Sequence, residues 1–172
     1  IFYLFVLGIL IPIEAMIIPL YFDLRSVNLA NGYLGVILPE IGFSVAFGVF
    51  WMRQIIDSQV PNELLEAASL DGAGVLRTFT RIVFPVIRPS AFVLGLFSFL
   101  GSWNDFLWPL LVLQTPENFT VQVAINQLKG SYTLDYALNM GGAFMATAPL
   151  LLLFIFVGKR LVGGVMDGAV KG

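Results

Sequence analysis

Residues 66–90 read EAASLDGAGVLRTFTRIVFPVIRPS. Glu66 and the preceding Glu63 suit the positive end of a helix, and Pro61 is tolerated in a first helical turn. Leu64, Leu65 and Ala68 give that helix an apolar side. The pair Asp71-Gly72 breaks it. Gly72 fits a left-handed capping position, where a residue with a Cβ costs about 1–2 kcal/mol. Beyond the break, Val75, Leu76, Phe79, Ile82 and Val83 recur at helical spacing, while Arg77 and Arg81 fall together on another face. Pro85 and Pro89 are expected to end this second helix before the next apolar run. A helix–turn–helix carrying most of the local charge therefore stands between two long greasy segments.

The rest of the chain says what surrounds it. Of 172 residues, 58% are hydrophobic and only 12% charged, against about 25% charged in an ordinary soluble domain. That balance, with sixteen Phe, points to lipid as the main solvent. The absence of cysteine excludes a disulfide framework and a thiolate metal site, and the absence of histidine removes the commonest general base and metal ligand. A net charge of −2 leaves no footprint for nucleic acid. No G-x-x-x-x-G-K-[ST] stretch occurs, so ATP is not bound through a Walker loop. No catalytic residue, metal or cofactor is expected.

Four apolar runs, 1–20, 33–52, 91–113 and 141–158, approach or exceed the ~20 residues that a membrane-crossing helix needs. Helix is the form that satisfies backbone polar groups in lipid, and the lengths argue against buried helices of a soluble all-α protein. The expected fold is thus an all-α membrane protein, a helical bundle of spans with a loop at 53–90. That loop and the tail from 159 carry Arg53, Arg77, Arg81, Arg88, Lys159, Arg160 and Lys171, against Arg25 and Lys129 on the other side. The positive-inside rule places the loop and the C-terminus in the cytoplasm. Ile1 opens inside an apolar run with no initiator Met and no basic n-region. The expectation is a fragment lacking its N-terminal part, and not a signal peptide.

Taken as physics, the loop is either a solvated connector with an interfacial helix or a knob that docks into another protein. Ala67 and Ala68 would allow close approach, and Glu66 and Asp71 would accept hydrogen bonds from a partner.

Glu66-Ala67-Ala68, Asp71-Gly72-Ala73 and Ile82-Val83-Phe84-Pro85 also resemble the EAA motif of permease subunits in bacterial ATP-binding-cassette importers. The stretch Gly101-Ser102-Trp103-Asn104-Asp105-Phe106-Leu107-Trp108-Pro109-Leu110, the segment 31–39 (NGYLGVILP) and the ending Gly168-Ala169-Val170-Lys171-Gly172 are similar to the carbohydrate-uptake branch, specifically its maltose-type second permease subunit. The likeness covers essentially the whole chain. It implies that Glu66, Ala67, Ala68, Asp71, Gly72, Ala73, Ile82 and Pro85 belong to coupling helices seated in a cleft of a cytoplasmic ATPase. It implies six spans, two of them N-terminal to this chain, in the bacterial inner membrane. The implied partners are a second permease subunit, two ATP-binding-cassette ATPase subunits and an extracytoplasmic sugar-binding protein. The solute would be a sugar, with a non-sugar solute such as glycerol phosphate as the alternative.

Polar residues inside the apolar runs are the remaining candidates, because an ionisable group in a span costs about 2.5–3.5 kcal/mol on insertion scales. Trp103, Asn104 and Asp105 suit a sugar path, the ring stacking on sugar faces and the polar groups meeting hydroxyls. They equally suit an aromatic belt and a polar pair tying helices together. Glu14 and Glu40 fit a structural or partner-interface role better than a path. Gly141, Gly142, Ala143, Ala146 and Ala148 form a small-residue packing surface on the last run. The polar stretch 114–140, with Asn118, Asn126, Lys129, Asp135 and Asn139, is either a contact for the binding protein or a solvated connector. Two other classes compete with the importer. A stand-alone secondary transporter or channel would need ion-coupling groups, and a membrane scaffold subunit would lack a substrate path.

Overall fold

A computed structural model describes residues 1–128 and 136–169, with side chains as far as Gly158. Lys129 and Asp135, the cations of the tail (Lys159, Arg160, Lys171) and the terminal 168–172 motif lie outside that side-chain description. Among the described residues every regular element is helical. In chain order these are α1 (Phe2–Leu10), α2 (Ile13–Ser26), α3 (Tyr33–Gln59), α4 (Asn62–Leu70), α5 (Val75–Thr78), a π-turn (Phe79–Val83) and α6 (Phe84–Asn104). They are followed by α7 (Leu107–Val112), a 3-10 turn (Pro116–Asn118), α8 (Val121–Leu128) and α9 (Tyr136–Ala169). Three continuous helices are long and apolar enough to cross a bilayer: Tyr33–Gln59, Val75–Asn104 and Tyr136–Gly158.

The expected first span, 1–20, is not one helix. It is divided at Ile11 and Pro12, both in extended backbone. Proline offers no N–H to the preceding turn and pushes the residue before it out of helical geometry. α1 and α2 satisfy the length and composition of a span only when taken as a pair, either as a broken span or as a re-entrant loop.

The expectation that Pro85 and Pro89 end the second loop helix is also overturned. α5, the π-turn and α6 form one helical run of 30 residues, Val75–Asn104. Phe84 N–H donates to the carbonyl of Phe79, five residues back, and the residue that follows is Pro85, which has no N–H to place. The register therefore changes where a donor is missing in any case. Thr80 Oγ1 covers the Leu76 carbonyl at 2.8 Å. The helix that begins in the loop continues into the apolar run without a break.

At the other end, the expected run 91–113 is interrupted. α6 stops at Asn104, and α7 begins at Leu107. The polar stretch from 114 is partly helical, holding the 3-10 turn and α8.

By internal packing the chain forms two units: residues 1–11 with 42–99, and residues 12–41 with the described part from 100 onward. In the first, α3 and α6 pack through Trp51 on Phe97, edge to face at 5.9 Å, and a Cβ at Gly48 would stand 3.5 Å from Leu94. Val60, Val83 and Ile87 are buried there among Met52, Ile55, Ile56 and Leu65. In the second, Leu24, Val36, Trp108, Val112 and Leu113 form a core with Ile17, Leu20, Tyr21, Leu29 and Phe119 around it. Gly142 on α9 lies against Ile125 and Leu128 of α8, where an added Cβ would come within 3.3 Å of both. Close packing was expected of the whole small-residue surface; Gly142 and Ala146 are buried, whereas Gly141 and Ala143 are exposed.

Candidate functional site

The chain leaves α3 at Gln59 and returns through Ser90, and these two side chains hydrogen-bond to each other at 3.2–3.3 Å. Together with the buried Val60, Val83 and Ile87, they hold both feet of the intervening segment. Its upper part is α4, a turn and α5. Ala68 is buried, and Leu65 is half-buried against the same cluster.

The turn is closed by a Schellman motif. Gly72 N–H donates to the Ser69 carbonyl at 3.1 Å, and Ala73 N–H to the Ala68 carbonyl at 2.9 Å. Gly72 has φ +72°, the left-handed conformation expected of it at that position. The turn's backbone bonds are thus met within the segment, and its side chains are left facing outward. Leu70 is 89% exposed, Val75 89% and Leu76 77%. Glu66, Ala67, Asp71, Arg77 and Arg81 are exposed too. Among the described residues the ion pair present is Arg53–Asp57 on α3, so neither Glu66 and Asp71 nor Arg77 and Arg81 are neutralised. The apolar stripe of the second helix divides: Val83 is buried and Ile82 half-buried, while Val75 and Leu76 have no cover. The eight motif residues thus fall into a held base (Ala68, Ala73, Ile82) and an open surface (Glu66, Ala67, Asp71, Gly72, Pro85).

The second candidate group sits at the α6–α7 junction. Trp103 donates its indole N–H to the Ala146 carbonyl on α9 at 3.1 Å, and its own carbonyl accepts from Gln122 of α8 at 3.3 Å. Asn104 Nδ2 turns back to the Leu100 carbonyl at 2.8 Å. The Asp105 carboxylate faces the backbone N–H groups of Trp108, Leu107 and Phe106, at the start of α7. Glu40, which the sequence presented as a separate feature of α3, is brought here: Ser102 donates to its carboxylate. Glu14 lies in the first turn of α2.

One polar centre escaped the sequence reading. Asn31, at φ 63°, accepts at Oδ1 from the backbone N–H of Gln114 (2.8 Å) and Thr115 (3.1 Å) and from Thr115 Oγ1 (3.1 Å). Its N–H donates to the Val112 carbonyl at 2.9 Å, and its carbonyl accepts from Asn118 Nδ2 at 2.9 Å. The Asn31-Gly32 pair is a turn signal in its own right. What it could not announce was a set of partners more than eighty residues away.

The model of the family described as "binding-protein-dependent transport system inner membrane component" matches residues 1–165. The chain is 36% identical over its whole length to the arabinooligosaccharides transport system permease protein AraQ of Bacillus subtilis, covering 60% of that protein. It is 33% identical over 165 residues to the lactose transport system permease protein LacG of Rhizobium radiobacter, covering 96% of this chain and 59% of that one. It is 32% identical over 173 aligned residues to the glucose import system permease protein GlcU of Saccharolobus solfataricus, covering 99% and 60%. The chain thus spans about three fifths of the length of these relatives.

Proposed function

The chain belongs to the family of binding-protein-dependent transport system inner membrane components, and from that premise we propose that it works in a permease that imports a sugar. The energy comes from ATP hydrolysed by separate subunits, and this chain is not itself an enzyme. One observation carries the coupling role: an exposed, internally capped turn whose apolar tip and flanking charges are unpartnered within the described chain. A solvated connector has no use for Leu70, Val75 and Leu76 laid open beside a rigid base.

In this reading α3, the run Val75–Asn104 and α9 cross the bacterial inner membrane, and the segment from Val60 to Pro85 faces the cytoplasm. Two ATPase subunits bind this segment and its counterpart on a second permease subunit. Glu66, Ala67, Ala68, Asp71, Gly72, Ala73, Ile82 and Pro85 form the coupling element. Its two feet are joined at Gln59–Ser90, and its second helix is continuous with α6. ATPase closure that displaces the tip therefore moves a whole membrane helix, and alternating access follows if the two ATPase states favour different helix positions. Trp103, Asn104 and Asp105 line the sugar path. The indole N–H of Trp103 is already engaged, so its sugar contact is through the ring face. A binding protein delivers the sugar from the opposite side. The sugar class is supported by the named substrates of the arabinooligosaccharide, lactose and glucose systems to which the chain is similar.

The test uses the full-length protein with its partner permease, ATPases and binding protein in liposomes. ATP hydrolysis is recorded with a panel of sugars for wild type and Glu66→Ala. Stimulation by one sugar, lost in the variant while insertion is normal, is the expected result. Hydrolysis indifferent to every sugar and to Glu66 would leave a scaffold or a transporter of another solute.

A further inference from the structure

Glu40 lies well inside a span. It is seven residues, about 10 Å, into the helix Tyr33–Gln59. Ser102, its partner, precedes Trp103, whose indole meets Ala146, ten residues or about 15 Å into Tyr136–Gly158. In the other direction, Arg53 is thirteen residues, about 20 Å, along α3 from Glu40, and Arg88 is fourteen residues, about 21 Å, along α6 from Ser102. A hydrocarbon core of about 30 Å that begins near Tyr33 therefore ends near these two arginines. Glu40 and Ser102 fall about a third of the way in, from the side opposite the coupling segment. At that level α6 stops at Asn104 and α7 starts at Leu107. Non-helical backbone at such a depth is tolerated only where protein covers it or where it lines a water-filled cavity. Cover is incomplete here: Ser102 and Asn104 are exposed, and Glu40 is half-buried.

We propose that Glu40 is a binding residue of the sugar path, its carboxylate accepting hydrogen bonds from sugar hydroxyls while Ser102 holds it in position. The inference rests on the sugar-importer reading and adds what the residues after Ser102 lack. Asn104 Nδ2 is engaged by the Leu100 carbonyl, and the Asp105 carboxylate by the backbone N–H groups of Trp108, Leu107 and Phe106. Glu40 accepts from Ser102 and is in no ion pair among the described residues. A carboxylate has about four acceptor positions, so about three stay open. Ionisable side chains within spans face a bundle interior or a water-filled cavity and not lipid. A hydroxyl-rich solute is favoured over a cation of the partner permease by the company Glu40 keeps. The open Ser102 oxygen and the Asn104 amide oxygen add nothing charged to an ion pair, but both can accept from hydroxyls.

To test it, the full-length permease with its partner permease, ATPases and binding protein is placed in liposomes. Uptake is measured for the transported sugar and for a set of analogues each lacking one hydroxyl. The preference for the parent sugar over each analogue is compared between wild type and variant with the same binding protein, so selection by the binding protein cancels. Glu40→Ala should lower that preference about tenfold or more for the analogues that lack the bound hydroxyls, the scale of one hydrogen bond to a charged group, and leave it unchanged for the others. Glu40→Gln keeps the size and one acceptor oxygen, should lower the same preference severalfold, and covers the case in which the alanine variant fails to insert. Ser102→Ala should weaken it severalfold in wild type and add nothing in Glu40→Ala, as expected of a residue that acts through Glu40. Sugar uptake with an unchanged preference in both Glu40 variants overturns this inference alone. So does loss of the partner permease from the complex in both variants, which would mean that Glu40 pairs with a cation of that subunit. A wild type that takes up no sugar overturns the sugar-importer reading together with it.

Discussion

Ala73 donates its backbone N–H to the carbonyl of Ala68 at 2.9 Å, so the turn between the two loop helices closes on a buried alanine. The bond exists only because Gly72 between them runs at φ +72°. The tip is therefore positioned by backbone, and its side chains remain available to a partner.

Gly72→Val should uncouple without unfolding. An added Cβ at this position meets no neighbouring atom, so the cost is purely conformational, about 1–2 kcal/mol for a residue with a Cβ in left-handed backbone and more for a β-branched one. Sugar-stimulated ATP hydrolysis in liposomes should fall severalfold with insertion unchanged. Gly72→Asn, which visits this conformation more readily, should retain most of the activity. Equal and full activity in both variants would sink the docking role of the turn.

Gly35→Ala should be worse for folding than Gly72→Val. A Cβ at Gly35 would stand 2.3 Å from the carbonyl oxygen of Leu29 and 3.1 Å from Val112 Cγ1. The first obstacle is backbone and does not rotate away. We expect a loss of about 1–3 kcal/mol, read as a lower thermal midpoint of the detergent-solubilised protein with ATPase contacts unaffected.

These two glycines divide what was legible from what was not. Gly72 could be read because its partners are within five residues, and helix capping is a local rule with a composition signature. Helix content and the positions of Glu66 to Ala73 on a short helix and its cap were legible for the same reason. Gly35 is crowded by residues 6 and 77 positions away, and nothing in its neighbourhood says so. The continuity of the helix through Pro85 was hidden by a sound local rule, since proline usually ends a helix. The π-turn at Phe79–Val83 offset it. The pairing of Glu40 with Ser102 was hidden too, because each residue alone is only a polar atom in an apolar run.

Asn31→Ala and Asn31→Gly separate two roles of one residue. Glycine keeps the left-handed backbone and removes the side-chain acceptor, whereas alanine loses both. The amides of Gln114 and Thr115 lose their Oδ1 partner in either case, at about 1–3 kcal/mol for donors left unmet where water cannot replace it. Alanine should cost roughly a further 1 kcal/mol for the φ of 63°. Hydrogen exchange at Gln114 and Thr115 should accelerate in both variants. Exchange as slow as in wild type would mean that the Asn31 contacts do not hold that stretch.

Trp103→Ala and Trp103→Phe test the sugar path. The indole N–H is occupied by the Ala146 carbonyl, so phenylalanine removes a helix-to-helix hydrogen bond and keeps an aromatic face. Such bonds within a membrane contribute about 0.6 kcal/mol on average, too little to change sugar selection by itself. If the ring meets the sugar, Trp103→Phe should preserve the order of preference among sugars, and Trp103→Ala should alter apparent affinity or selectivity severalfold. If the residue serves only to join α6 to α9, both variants should lower stability and leave the sugar preference unchanged. Transport assayed across several sugars, beside the thermal midpoint of each variant, distinguishes the two. A changed selectivity in the alanine variant alone would place the aromatic face of Trp103 on the path.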